Sequence, residues 1–205
     1  ASRLLKLRGQ AMQRAVPVGV GAMAALLGLD FEAVVEVAEE AGQGEEICAA
    51  ANDNAVGQVV VSGHAAAVAR AIDLAKERGA KRAMELPVSA PFHCSLMQPA
   101  ADEMRAALAE SKISAPSVPV IANVCAAPVS DPEEIRQLLV EQITARVRWR
   151  ESMIWLADNN AGNLVELGSG KVLASMARRI DPRLTATALS TPDDIRTYLE
   201  ETQGD

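Results

Sequence analysis

The chain has 205 residues, 49% hydrophobic and 23% charged, which is enough apolar material for a buried core in one large domain or two small ones. A formal charge of −7 and only 2% aromatic residues exclude a general nucleic-acid surface, which needs cationic patches or stacking rings. The long uncharged runs are broken by Gly or Pro and predict no membrane span, and three scattered cysteines form no metal or disulfide pattern; with no secretory signal, a cytoplasmic protein is expected.

Residues 1–14 carry Leu4, Leu5, Leu7 and Met12 at roughly helical spacing, with Arg3, Lys6, Arg8 and Arg14 between them, and Pro17 and Gly19 end the run. Residues 22–27 predict a buried strand, after which Asp30 can cap a helix with Phe31, Val34, Val35 and Ala38 on its apolar face. Residues 47–51 and 58–61 predict two strands joined through Asn52-Asp53-Asn54. A helix over 64–78, entered through Ser62-Gly63 and stopped by Gly79, leads to a strand at 83–88. Strand, helix, strand, strand, helix, strand is the split βαβ order, and residues 18–89 are therefore expected to form a small α+β domain of the ferredoxin-like kind.

Beyond Pro91 the pattern becomes alternating α/β. Helices are predicted at 97–110, 131–144, 149–159 and 171–179, with strands at 118–124, 164–167 (short and buried) and 184–189, and a last helix from Thr191-Pro192-Asp193-Asp194. Gly168-Ser169-Gly170-Lys171 fails as a phosphate loop: Val165 stands where a first glycine is needed, and Val172 where Ser or Thr is needed. A strand-to-helix turn is the better reading. No Gly-x-Ser-x-Gly nucleophile elbow occurs.

The stretch Ser89 to Met97 holds His93, one of two histidines, on a turn stiffened by Pro87 and Pro91. A histidine so held can use one ring nitrogen for chemistry and the other for an orienting acceptor.

Five motifs in one order carry a resemblance: Leu7-Arg8-Gly9-Gln10-Ala11-Met12-Gln13; Asn52-Asp53-Asn54 with Gly57 to Gly63; Pro87 to His93; Glu141-Gln142 before Val147-Arg148-Trp149; and Glu166 to Leu173. The series resembles the malonyl-CoA:acyl-carrier-protein transacylases of type II fatty-acid synthesis, over the later two-thirds of that family's length. The resemblance implies an α/β-hydrolase-like large domain, here incomplete (1–17 and 90–205), with the ferredoxin-like domain (18–89) inserted. It implies a serine acyltransferase with a malonyl-serine intermediate, the serine lying upstream of Ala1, so that this fragment alone is expected to be inactive. Malonyl-CoA is the implied substrate and acyl carrier protein the partner, with no bound cofactor, metal, nucleic acid or membrane.

Residue by residue, His93 matches the general base and Gln142 the position whose main-chain carbonyl orients it. Arg8 matches the arginine that pairs with the free carboxylate of malonyl, and Phe92 a ring that discriminates against methylmalonyl. Asn52 and Asn54 match asparagines near the cleft. The local basic pairs Lys81-Arg82 and Arg178-Arg179, on an otherwise acidic chain, offer docking points for an acidic carrier protein. Two other readings compete: a non-catalytic fragment that binds CoA or carrier protein, and an acyltransferase domain of a polyketide synthase.

Overall fold

Strand β1 (Gly21–Leu27) is apolar from end to end because both its faces are covered. Ala24 and Leu26 face helices α2 (Phe31–Ala41) and α3 (Ala65–Glu77), where they pack with Val34, Val37, Val59, Val61 and Val68. Met23 on the opposite face packs with Ala51, Val60 and Phe92. The computed structural model describes residues 1–203 and divides into two compact units, 1–152 and 153–205.

In the first unit, β1 pairs antiparallel with β3 (Gln58–His64) on one side and β4 (Arg82–Glu85) on the other, and β3 pairs with β2 (Cys48–Ala55), giving the order β2-β3-β1-β4. Asp30 caps α2 as expected, its carboxylate accepting from the Ala33 N–H at 2.8 Å. The buried stripe of α2 is Val34, Val37, Ala38 and Ala41, rotated so that Val37 and not Val35 faces the core.

Asn52-Asp53-Asn54 does not join two strands. It lies inside β2, and the turn to β3 is Val56-Gly57, where Gly57 supplies a φ of +68°. Polar residues survive within this strand because its register with β3 shifts twice, between Ala50 and Asn52 and between Asp53 and Ala55, and its free edge has a partner of its own, described below. Ser62-Gly63 likewise closes β3 and does not open α3, whose N-cap is His64; the His64 Nδ1 accepts from the Ile47 N–H at 2.9 Å.

Helix α1 (Ser2–Ala15) packs through Ala11 and Met12 against α4 (Gln98–Ala109), around Met97, Met104 and Leu108, with Val140 and Ile143 completing this second core. A short hairpin of β5 (Val120–Ala122) and β6 (Ala127–Val129) precedes α5 (Pro132–Glu141). Strand β6 was not expected; at three residues it has no readable period, and Ala126 turns with φ +52°.

Helix α6 (Trp149–Asp158) leads into the second unit, where β7 (Asn163–Leu167) and β8 (Thr185–Leu189) pair in parallel, accompanied by α7 (Val172–Ile180) and α8 (Pro192–Gln203). The buried strand expected at 164–167 is instead half-open, with Leu167 73% exposed. Glu166 accepts from the Leu173 and Ala174 N–H groups at 3.2 and 2.8 Å, so a carboxylate already occupies the N-terminus of α7. That agrees with a strand-to-helix turn at 168–171 rather than a phosphate loop.

Candidate active site

His93 sits in the left-handed region, φ +60°, on the turn between the Pro91-Phe92 pair and the 3₁₀ turn Ser95–Met97. A non-glycine residue pays about 1–2 kcal/mol for that conformation, so the surroundings must hold it. The Cys94 thiol, buried beside it, donates to the Pro91 carbonyl at 3.1 Å, and Pro91 abuts Gly21 at the start of β1. The turn is thereby fastened to the sheet.

The imidazole Nδ1 lies 2.9 Å from the Gln142 carbonyl and 3.2 Å from the Ala145 carbonyl. Both neighbours can only accept, so Nδ1 carries the ring hydrogen and Nε2 is left as the basic nitrogen. Burial pushes the His93 pKa below its ordinary value; the two carbonyls act in the opposite direction and the nearby Arg8 charge reinforces the lowering. At neutral pH the ring is an uncharged base. The Gln142 side chain is engaged elsewhere, its Oε1 accepting from Asn123 Nδ2 at 3.3 Å.

Arg8 projects from α1 and is half-buried, and its Nε is buried with no hydrogen-bond partner among the described residues. Desolvation lowers its pKa, as expected of a cation held in a partly dry place. Arg8 and His93 share a cavity of about 520 Å³, lined also by Leu4, Met104, Asn123 and Val147. They meet again in a smaller hollow of about 220 Å³ with Met12 and Phe92. A neutral base and an unpaired guanidinium over one apolar cavity can bind a carboxylate-bearing acyl group and accept a proton beside it.

The other expected residues of the first unit do not line this cavity. Asn52 and Asn54 are half-buried in β2 and are not among the residues lining the His93 cavity; Asn52 instead forms a bridge to Val147, which does line it. Lys81 and Arg82 are exposed at the Leu27 end of β1, six residues or about 20 Å from the Gly21 end that abuts Pro91. Arg178 and Arg179 are exposed on the last turn of α7, in the second unit. Reading the sequence missed the Ala145 carbonyl, Asn123 and the pair Asp53–Arg150. A main-chain carbonyl has no sequence signature, whereas the cluster Arg146, Arg148, Arg150 and Glu151 was a visible concentration of charge in need of partners.

No protein-family profile matches the chain. A malonyl CoA-acyl carrier protein transacylase of Escherichia coli K12 is 44% identical over 200 residues, covering 98% of this chain and 64% of that protein. The crystal structure of an acyl-carrier-protein S-malonyltransferase from Bartonella henselae superposes with a TM-score of 0.93 at 51% identity, covering 98% of this chain and 64% of the other. A malonyl-transacylase solved in complex with a type II PKS acyl-carrier protein gives 0.93 at 42% identity, over 97% and 64% of the two chains. Along nearly all of its own length, then, this chain of mixed α/β fold is a homologue of the malonyl CoA-acyl carrier protein transacylases, spanning about 64% of theirs.

Proposed function

We propose that the protein transfers malonyl from malonyl-CoA to the phosphopantetheine thiol of acyl carrier protein, in fatty-acid biosynthesis, through a malonyl-serine intermediate. What carries this reading is one observation: the unpartnered Arg8 guanidinium and the carbonyl-held His93 imidazole face the same cavity. His93 Nε2 takes the proton of the attacking serine and returns it to the CoA thiolate as that group leaves; in the second half-reaction it takes the proton of the pantetheine thiol and returns it to the serine. The carbonyls of Gln142 and Ala145 fix the tautomer without adding a charge that would hold the ring protonated. These 205 residues hold no Gly-x-Ser-x-Gly elbow and are expected to bind malonyl-CoA without forming an acyl-enzyme.

Arg8 selects acyl groups that end in a carboxylate, because burying the guanidinium with nothing opposite is unfavourable and only such a group relieves it. Phe92, packed between Met23, Ala51 and Val60, is too well supported to swing away from a branched acyl group. Residues 18–89 are the ferredoxin-like domain inserted in a hydrolase-like one (1–17 and 90–205), a reading supported by the order β2-β3-β1-β4 and by helices following β1 and β3. Asn52 and Asn54 reach the pantetheine arm from β2. Lys81, Arg82, Arg178 and Arg179, all exposed, meet the acidic carrier protein, and a cytoplasmic location goes with these partners. No bound cofactor is required, since malonyl-CoA brings its own activated thioester.

Calorimetric titration of the chain with malonyl-CoA and acetyl-CoA tests the reading. A charge-assisted pair contributes about 1.5–3 kcal/mol, so malonyl-CoA should bind roughly ten- to a hundredfold tighter, and Arg8→Ala should erase the difference. Equal affinities in the unaltered chain would remove the carboxylate assignment.

A further inference from the structure

Asp53 is the one buried carboxylate among the described residues, 1% exposed, and nothing in the chemistry above uses it. It sits in β2 between the two register shifts and receives Arg150 side-on: Nε at 2.9 and 3.0 Å from its two oxygens, Nη2 at 2.8 Å. Two main-chain bonds run alongside. The Val147 N–H donates to the Ala51 carbonyl at 2.8 Å, and the Asp53 N–H donates to the Val147 carbonyl at 2.9 Å. Val147 is thus a one-residue parallel bridge on the free edge of β2, and Arg150, in the first turn of α6, is clamped to the buried Asp53 carboxylate. Immediately before them come the Gln142 and Ala145 carbonyls that hold His93. The other end of that segment is anchored independently, by Val140 and the fully buried Ile143 in the α1–α4 core.

We infer that the Asp53–Arg150 pair is a positioning device for His93: with the Val147 bridge it ties the start of α6 to β2 and so fixes the far end of the 142–145 turn, so that both carbonyls point at Nδ1 and one imidazole tautomer is enforced. The inference rests on His93 being the general base, though its test does not. A buried ion pair is weak evidence for stability, since an apolar pair of similar volume serves as well; its geometric exactness is what a positioning role requires. Asp53 and Arg150 touch no reacting atom and are positioning residues only.

The test reads the ring directly. Imidazole ¹⁵N shifts of the unaltered chain above pH 7 should show His93 as a single tautomer with Nδ1 protonated. In Asp53→Asn, which keeps the shape and loses the charge, His93 should become a mixture of both tautomers while the His64 signals stay in place. Arg150→Lys, which keeps the charge and loses the fork, should give a smaller shift in the same direction and serves as the readout should Asp53→Asn fail to fold. A folded variant of either kind in which His93 keeps its single tautomer overturns the positioning role. Because the readout is spectroscopic, that result leaves the base assignment standing; normal acyl transfer by His93→Ala in the elbow-containing protein would instead remove the base assignment and leave the clamp.

Discussion

At the scale of the residue, the site is built from groups made unusual by what surrounds them. His93 pays for a left-handed backbone and for burial, and both are repaid by main-chain carbonyls instead of a carboxylate. The lowered pKa has a consequence for stability. The unfolded chain takes up a proton near the ordinary value of about 6.5 while the folded ring resists it, so the folded state loses ground as pH falls through 6.5 and down to the folded pKa. Urea unfolding of the unaltered chain and of His93→Gln between pH 8 and 5 should show the unaltered chain losing more stability on acidification. Parallel curves would mean that the ring titrates alike in both states.

At the scale of the element, the sheet does more than fill a core. The Gly21 end of β1 abuts the Pro91 ring: a Cβ there would collide with Pro91 Cγ and lie 2.6 Å from its Cδ. A proline ring has no flexible end to withdraw, so Gly21→Ala must move the turn that carries His93 two residues on. Overpacking of this kind costs about 1–3 kcal/mol. Gly21→Ala is therefore expected to lower the denaturation midpoint and to shift the His93 imidazole signals; an unshifted ring would mean that β1 and the turn are not mechanically linked. The free edge of β2 plays a comparable part through Val147, which is why polar residues stand in that strand.

At the scale of the whole molecule, the two units differ in how much they bury. The first holds two dense cores with Leu26, Val59, Val61 and Met97 wholly inside. Within the 53 residues of the second, Val165, Leu167, Val172, Leu173, Ile195 and Leu199 are all exposed, and a two-stranded parallel sheet is a poor hydrophobic anchor. Hydrogen exchange read by mass spectrometry should find the amides of β7 and β8 exchanging much faster than those of β1 and β3. Equal protection in the two units would contradict that ranking.

The helices, most of the strands and the His93 turn were legible in the residue pattern because periodicity, Asp caps and proline placement act over a few neighbours: Asp30 and Asp131 begin helices where they were expected to. The Asn52-Asp53-Asn54 turn was misread for the same reason, since nothing local reveals that a strand edge will find a partner 94 positions later in Val147. Which side of α2 is buried, how open β7 is and how the Gln142 and Ala145 carbonyls converge on one imidazole were likewise decided only in three dimensions. Local sequence sets dihedral preferences and apolar stripes; carbonyl directions, strand-edge pairings and the desolvation of a lone guanidinium depend on what long-range packing brings alongside.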